Sequence, residues 1–395
     1  MWSKDKSPDW GFQATAWRWK QLHISWGKRN RIKLSNDHLE HLAQFKAALQ
    51  TQGLDAFLIT DAVHCFYLSG FTGTNGWLLI TAAQEQDYLV TDFRYQEQAA
   101  EQVTGLRIEL QGASAVTTIS ELAQQCGLKT IGLDQEKVTL AVYAQLKEAM
   151  PQVTLLPSAN PATEIRKRKN SQELQFIKKA VEIADKAFLH LLDYVRPGLS
   201  EKEIALELEF FMRRLGGTKN AFETIVASGE RSALPHGVAS NRILQDGDLV
   251  LLDFGTVYQG YHSDLTRTLY IGEPDGKARE IYQLVLRAQE AVLAQIQPGM
   301  KANELDAIAR KMIAEAGYGA EFGHGLGHGV GLEIHEKPSL SPRDETVLEP
   351  GMVVTVEPGI YLPRWGGIRI EDMVVITPGG CEILTKSPKV LQLHN

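Results

Sequence analysis

Residues 247–255 read Gly-Asp-Leu-Val-Leu-Leu-Asp-Phe-Gly, and residues 351–359 read Gly-Met-Val-Val-Thr-Val-Glu-Pro-Gly. Each stretch is an apolar, strand-like run that ends on a carboxylate, Asp253 in the first and Glu357 in the second. A carboxylate in such a run is costly to bury unless it is paired, hydrogen-bonded or bound to a metal. The two stretches therefore predict two related strands that bring two carboxylates to a shared site.

The repeat extends upstream of both stretches. Residues 197–204 read Pro-Gly-Leu-Ser-Glu-Lys-Glu-Ile, and 101 positions later residues 298–305 read Pro-Gly-Met-Lys-Ala-Asn-Glu-Leu. Pro-Gly alone could recur by chance, but both blocks recur in the same order. In each copy a helix and an apolar strand lead to the carboxylate. We therefore expect two αβ half-domains related by pseudo-twofold symmetry.

A second aspartate follows the first strand run. Asp264 stands eleven residues after Asp253, and the intervening Gly255 and Gly260 permit a hairpin that brings the two carboxylates together. The alternatives for this pair are two helix or turn caps, or an ion pair with Arg267.

A glycine-rich stretch, residues 323–336, contains three histidines: His324, His328 and His335. Alternating glycines allow close backbone approach, so that imidazoles can be presented in a tight pocket. The stretch superficially resembles a nucleotide-binding loop. However, no strong strand precedes it and no acidic residue stands at the ribose-binding distance.

Arg369 and Glu371 are two residues apart in an apolar run and would share one face of a strand. An exposed local charge pair is the alternative, but hydrophobic residues surround both Glu357 and Glu371, where a lone carboxylate is costly. Four confined carboxylates would repel one another and be driven to protonate, and two divalent cations would remove that repulsion. Oxygen-rich ligation with one imidazole favours Mn, Co, Fe or Zn. The residues therefore predict a dinuclear metal hydrolase.

Five residues match, in order and spacing, the metal-ligand pattern of the M24 "pita-bread" metallopeptidases: Asp253, Asp264, His328, Glu357 and Glu371. That family includes methionine aminopeptidase, aminopeptidase P and prolidase. The resemblance implies an α+β pita-bread catalytic domain with symmetric halves, preceded by a creatinase-like α/β domain. It also implies two divalent metal ions, of which Mn is favoured over Co, Zn or Fe.

The resemblance assigns roles to the ligands by position. Asp253 is similar to the bidentate ligand of one metal, and Asp264 and Glu371 are similar to the bridges between both. His328 resembles the ligand of the other metal, aided by Glu357. Glu357 also resembles the general base that takes a proton from the bridging water before its hydroxide attacks the peptide.

The resemblance also implies residues that contact the substrate. His236 is similar to a substrate-gating histidine, and His335 to the partner of the substrate carbonyl and the tetrahedral intermediate. His324, Tyr361 and Arg369 resemble pocket residues of the proline-specific branch. We therefore expect hydrolysis of the bond between an N-terminal residue and a following proline.

Three questions of function stay open at this point. The 14 residues from Glu357 to Glu371 favour prolidases and short bacterial Xaa-Pro peptidases, without deciding between dipeptides and longer peptides. A catalytically inactive binding module and a creatinase-type C–N hydrolase share the fold. Both lose several of the five ligands, whereas this chain keeps all of them.

The chain before the catalytic part predicts an α/β domain at residues 37–160, ahead of a catalytic domain at 161–395. A helix over 37–52 precedes strands and helices in alternation. The boundary falls at 157–170, where two prolines precede a basic run at 166–169. We expect a solvated linker to account for those charges. The predicted strands are 54–60, 77–81, 88–91, 106–110, 130–133 and 153–156, and the predicted helices are 94–103, 116–126 and 138–150.

Composition separates the N-terminus from the body. The 395 residues are 44% hydrophobic and 23% charged, as in an ordinary globular protein. Residues 1–36 carry a net charge of +6 and five of the seven tryptophans. The body carries a net charge of −13, which gives −7 for the whole chain. The acidic body argues against nucleic-acid binding. We expect residues 1–36 to be a disordered extension.

The cysteines and apolar runs bound the location. Cys65, Cys126 and Cys381 are far apart and odd in number, which indicates thiols of a reducing compartment and excludes a disulfide scaffold. The longest apolar runs are strand-sized, so no membrane span is predicted. We therefore expect a cytoplasmic protein whose partners are proline-containing peptides. The family resemblance implies a homodimer.

Overall fold

The computed structural model describes residues 37–83 and 86–393. The predicted basic extension, residues 1–36, lies outside the described residues. No helix of the described part is long and apolar enough to cross a membrane.

The N-terminal part is a six-stranded mixed sheet with helices around it, in the strand order β4-β3-β2-β1-β5-β6. The central strand β1 runs antiparallel to β2 and parallel to β5. Its elements are α1 Asp37–Gln52, β1 Ala56–Ile59, α2 Ala62–Ser69, β2 Gly76–Thr81, β3 Tyr88–Thr91, α3 Gln96–Gln102, β4 Arg107–Leu110, α4 Ala115–Gln125, β5 Thr130–Asp134, α5 Leu140–Ala149, β6 Thr154–Ser158 and α6 Pro161–Arg166.

Every strand predicted before residue 160 has a counterpart in this sheet, and the predicted α/β architecture is confirmed. Helix α2 was not predicted from the sequence, because it has only eight residues and an apolar sequence that also suits a strand. Asp61 caps this helix by accepting from the His64 amide, and Gly70 ends it with φ of 75°.

The C-terminal part contains four helices and fourteen strands in the described residues. They are α7 Ser171–Leu192, α8 Glu201–Arg214, β7 Lys219–Asn220, β8 Ile225–Ser228, β9 Leu249–Phe254, β10 Thr256–Tyr258, β11 Tyr261–His262, β12 Leu265–Ile271, α9 Gly276–Gln295, α10 Ala302–Glu315, β13 Gly327–Gly329, β14 Glu336–Leu340, β15 Val353–Val356, β16 Gly359–Leu362, β17 Gly366–Arg369, β18 Asp372–Thr377, β19 Gly380–Ile383 and β20 Gln392–Leu393. Capping boxes at Asn170 and Ser200 begin α7 and α8, as their sequences predict.

The sequence repeat corresponds to a repeat of structure. In the first half α7 and α8 precede the sheet β20-β12-β9-β8, and in the second half α9 and α10 precede the sheet β14-β13-β15-β18-β19. The equivalent glycines have the same conformation, with φ of 91° at Gly198 and 90° at Gly299. Each also donates its amide to an equivalent carbonyl, Leu244 at 3.0 Å and Leu348 at 2.8 Å. The two halves therefore share local geometry as well as sequence.

The hairpin predicted between the two aspartates forms as a pair of nested ladders. Strand β9 pairs antiparallel with β12, and β10 with β11 beyond them. Gln259 and Gly260 make the turn with φ of 51° and 87°, values that suit a two-residue hairpin loop. Gly255 is required at the crossing because a Cβ there would lie 1.9 Å from the Ser263 carbonyl oxygen.

The two parts are joined by apolar packing and by buried charges. One buried cluster includes Phe45 and Tyr67 from the first part together with Phe176 and Met373 from the second. The expectation of a solvated linker at 166–169 is wrong for two of its four residues. Arg166 and Lys169 are buried and bind Glu336, because the second domain supplies a carboxylate that the local sequence does not reveal.

Candidate active site

Strand ends of both halves deliver carboxylates to one place. Asp253 lies in β9 opposite Thr266 of β12, and Asp264 lies in the short connection just before β12. Glu357 follows β15, and Glu371 lies between β17 and β18. All four carboxylates line one cavity.

His328 joins this cluster from the glycine-rich stretch. Its Nε2 lies 3.5 Å from Asp264 Oδ2 and 3.3 Å from Glu357 Oε1. One ligand atom from each of Asp264, His328 and Glu371 lies within 4.8 Å of the others. Gly327 allows this approach, because a Cβ there would lie 2.1 Å from the Thr355 carbonyl oxygen. The structure thus brings all five predicted ligands into one site.

The donor set fits a divalent metal centre. The His328 Nδ1 donates to the Gly329 carbonyl at 3.1 Å, so Nε2, which faces Asp264 and Glu357, is the ring atom that would bind a cation. A backbone carbonyl on the other ring nitrogen is the usual arrangement of a metal-binding histidine. Asp253 Oδ1 and Glu371 Oε1 are also buried, and neither has a hydrogen-bond partner within the described part of the chain. Cations at the centre would satisfy these atoms.

The pKa values of the cluster show how costly it is without cations. Burial, followed by the charge of Glu371, raises the pKa of Asp264 well above its usual range. Burial, followed by the charge of Glu357, raises the pKa of Glu371 in the same way. Burial also opposes ionisation of Glu357, but the hydrogen bond from His328 and the charges of His328, His324 and Arg369 together outweigh burial and lower the Glu357 pKa. Divalent cations would let all four carboxylates ionise together.

Arg369 connects the cluster to one wall of the site. Its guanidinium contacts Asp253 and donates to the Tyr361 hydroxyl at 2.7 Å. The Tyr361 hydroxyl lies 2.9 Å from His324 Nε2, and the His324 Nδ1 donates to the Gly325 carbonyl at 2.7 Å. These contacts assign the Nδ1–H tautomer to His324, so the hydroxyl donates to Nε2. The three predicted pocket residues form one hydrogen-bonded chain.

Two alternatives considered for the charged residues do not hold. Arg267 binds Asp372 at 2.8 Å and makes no salt bridge with either ligand aspartate among the described residues. Arg369 and Glu371 do not form an exposed pair, since their residues are 4% and 1% exposed. The prediction that Arg369 and Glu371 share a strand face is wrong. Arg369 ends β17, and Glu371 lies in the connection to β18, which belongs to a different sheet.

The remaining predicted residues line the same cavity, which has a volume of about 1150 Å³. The His335 ring lies 4.3 Å from the His328 ring, centroid to centroid. Burial, then the neighbouring His328, lowers the His335 pKa and favours a neutral imidazole. His236 is exposed and borders the cavity from the loop after β8. The N-terminal part contributes His64 and Lys137 to the opposite wall.

The sequence analysis missed two hydroxyls that hold the ligands. Thr266 donates to Glu371 Oε2 at 2.7 Å and accepts from Arg369 Nε at 3.1 Å. Thr355 donates to Glu357 Oε1 at 3.0 Å and accepts from the His328 amide at 3.0 Å. Each threonine stands two residues from a ligand on a strand, and that same-face spacing was the available signal.

A second group of potential ligands lies in the N-terminal part: Asp61, His64 and Asp134. Their atoms already have protein partners. Asp61 accepts from the His64 amide and ring, Asn160 donates to Asp134 at 2.9 Å, and Arg166 lies 3.1 Å from His64 Nε2. A guanidinium at the ring nitrogen disfavours a cation, so we interpret this group as a structural network.

Comparisons with known proteins agree with this geometry. Residues 175–378 match the model of metallopeptidase family M24, and residues 41–167 match the creatinase/prolidase N-terminal domain. The uncharacterized peptidase YqhT of Bacillus subtilis is 47% identical over 86% of this chain and 96% of its own length.

Two solved structures extend the comparison. The Xaa-Pro dipeptidase from Bacillus anthracis superposes with a TM-score of 0.87 at 45% identity, covering 90% of this chain and 99% of that one. The X-Pro aminopeptidase from Thermotoga maritima superposes with a TM-score of 0.81 at 41% identity, covering 86% and 97%. The expected two-domain fold is confirmed. This chain belongs to metallopeptidase family M24 and carries the creatinase/prolidase N-terminal domain.

Proposed function

We propose that this protein is a metal-dependent peptidase that hydrolyses the bond between an N-terminal residue and a following proline. One observation carries the proposal. Four carboxylates and His328 Nε2 converge at a buried centre, where divalent cations would let the carboxylates ionise together. The Xaa-Pro dipeptidase and X-Pro aminopeptidase among its similar structures supply the substrate class.

The five predicted ligands would hold two divalent ions: Asp253, Asp264, His328, Glu357 and Glu371. When bound, such ions supply Lewis acidity, which activates water and polarises the scissile carbonyl. We propose Mn as the favoured ion because the donor set is oxygen-rich with a single imidazole. Thr266 and Thr355 orient the carboxylates of Glu371 and Glu357 through the hydroxyl contacts described above.

Glu357 is the proposed general base. Its carboxylate borders the cavity with its side chain 16% exposed, so water reaches it. His335 is the proposed donor to the substrate carbonyl, since a neutral imidazole retains one N–H to give. His236 would gate the opposite side of the substrate from its exposed loop.

The chain of Arg369, Tyr361 and His324 is the proposed pocket wall for the substrate. Arg369 is 4% exposed and is held at three atoms, so its position is rigid. A rigid wall restricts which substrate side chains and which substrate ring can lie against the metal centre. We propose that this wall contributes to the preference for proline after the cleaved bond.

The proposal is tested with purified protein, Mn²⁺ or Co²⁺, and three peptides: Xaa-Pro, Xaa-Pro-Xaa and the Xaa-Ala dipeptide. We expect metal-dependent release of the N-terminal residue from proline peptides and little from Xaa-Ala. Cleavage of Xaa-Pro alone would define a dipeptidase, and cleavage of both proline peptides an aminopeptidase P. If neither proline peptide releases its N-terminal residue, the proposal is refuted, and a binding module or a C–N hydrolase is favoured instead.

Substitutions in the same assay separate catalysis from folding. Glu357→Gln should abolish turnover while leaving the far-UV circular dichroism spectrum unchanged. Glu345→Gln is the matched control, because Glu345 is a 73% exposed side chain that pairs only with Lys301 in the described structure. Full activity in Glu357→Gln would exclude Glu357 as the base.

We further propose a cytoplasmic homodimer. The homodimer rests on the family resemblance, and light scattering on the purified protein tests it. The cytoplasmic location rests on the cysteines: no disulfide joins the three, all of which lie in the described part of the chain. Fractionation of cells that produce the protein tests the location.

A further inference from the structure

The loop that carries His236 connects the end of β8 to the approach to β9. An exposed side chain on such a loop can act at a defined point only if the loop itself is held, because every ordered residue costs conformational entropy. The loop is tied to the pocket wall at two points. The Pro235 carbonyl accepts from Arg369 at 3.3 Å, and the Gly367 amide donates to Ser232 Oγ at 2.8 Å.

A single buried carboxylate holds both ends of this loop. Glu201 is the first residue of α8, and its side chain is 0% exposed. One oxygen, Oε1, accepts from the amide and the hydroxyl of Ser228, both at 2.7 Å. The other oxygen, Oε2, accepts from the amide of Ser240 at 2.9 Å and its hydroxyl at 2.6 Å. Ser228 begins the loop and Ser240 ends it.

Arg231 completes the arrangement from within the loop. Its guanidinium contacts Glu201 Oε2 and also donates to the Val238 carbonyl at 2.9 Å. The carboxylate therefore receives five donors, all of them from residues 228–240. These donors outweigh burial and keep the pKa of Glu201 below its usual range, so the group is an anion at neutral pH.

We propose that Glu201 is a positioning residue for His236, acting by fastening both ends of the 228–240 loop to the start of α8. Glu201 is not among the residues that line the cavity, so it does not contact the substrate directly. The proposal rests on the peptidase function proposed above, because only that function gives His236 a substrate. It adds a role that the family ligand pattern does not contain.

The substitution Glu201→Gln tests the carboxylate at constant shape. A glutamine amide offers one acceptor oxygen, and its NH₂ would face donors that the second carboxylate oxygen now satisfies. We expect kcat/KM on an Xaa-Pro dipeptide to fall by roughly 10- to 100-fold, as expected for a misplaced substrate-contacting group. We also expect faster amide hydrogen exchange across residues 229–240 than in the unsubstituted protein.

Glu203→Gln is the matched control. Glu203 lies two residues further along the same helix, and among the described residues its carboxylate binds only Ser200, through the capping box. Its activity and loop exchange should match those of the unsubstituted protein. Ser240→Ala is a milder second variant if Glu201→Gln fails to fold, and it should loosen the same segment and lower kcat/KM several-fold.

A double-mutant cycle with His236→Ala distinguishes positioning from general destabilisation. If Glu201 acts through His236, then Glu201→Gln should lower kcat/KM much less in the His236→Ala background. An equal loss in both backgrounds, or unchanged exchange at 229–240, would overturn the proposal. Absence of Xaa-Pro cleavage by the unsubstituted protein would instead count against the peptidase function, since the exchange measurement needs no activity.

Discussion

Glu336 provides the sharpest stability prediction, because one buried carboxylate holds two buried cations. Its side chain is 7% exposed, and its oxygens lie 2.6 Å from Lys169 Nζ and 2.5 Å from Arg166 Nη2. In Glu336→Gln, Arg166 keeps Glu333 at 3.0 Å. Lys169, whose side chain is 1% exposed, keeps only a contact of 3.4 Å to the Lys167 carbonyl. One ammonium group would then be buried without a counter-charge.

Breaking a buried pair in this way costs about 3–5 kcal/mol. With an unfolding entropy of about 2.1 cal/mol/K per residue, a body of roughly 360 residues loses about 1.3 °C in Tm for each kcal/mol. We therefore expect Glu336→Gln to melt about 4–7 °C below the unsubstituted protein. Thermal unfolding followed by circular dichroism, with metal held constant, measures the difference.

Glu349→Gln is the control for this prediction. Glu349 binds Arg168 at 2.7 Å, but the two side chains are 47% and 57% exposed, so the pair contributes about 0–1 kcal/mol. Arg168 also belongs to the same basic run as Arg166 and Lys169. Equal melting of the two variants, or a loss below about 1 °C in Glu336→Gln, would refute the view that burial makes the difference.

Three further predictions concern the metal centre and the strand crossing. Thr266→Val removes the hydroxyl between Glu371 and Arg369, so calorimetric titration should show Mn²⁺ binding about 10- to 100-fold weaker. Equal affinity would show that Thr266 does not support the metal ligands. Mn²⁺ at about 100 times its Kd should stabilise the chelator-treated protein by about 2.7 kcal/mol, a rise in Tm of about 3–4 °C, and no rise would argue against the centre. Gly255→Ala places a methyl group against the Ser263 carbonyl and should cost about 3 kcal/mol or more, which melting within 1 °C of the unsubstituted protein would contradict.

Much of the fold was predictable because its signals are local. The apolar runs around Asp253 and Glu357, the capping boxes at Asn170 and Ser200, and the glycines of the hairpin each state a local preference. The internal repeat then related one half to the other. Helix α2 was missed because eight apolar residues fit a strand as well as a helix.

The partners of buried charges were not predictable in this way. The sequence predicts that Arg166 and Lys169 belong to a solvated linker. Their neighbours in the chain do not indicate that both residues bind Glu336. The local sequence of Glu201 gives no signal of burial, although its carboxylate is buried and accepts from five donors. Such contacts join positions far apart in the chain, and they depend on strand register and on how the elements pack.

The order and spacing of the residues identify the side chains that are costly to bury. Carboxylates placed at the ends of apolar strands must be compensated, and their number, order and spacing already indicated cations and the M24 family. Only the tertiary structure decided which groups compensate which charges. Packing sets Arg369 against Asp253, 116 residues away, sets Thr266 between Arg369 and Glu371, and closes the His236 loop on Glu201. A hydrogen bond requires its donor and acceptor to lie within about 3 Å of each other. Residues that are far apart in the chain reach that distance only when the chain folds.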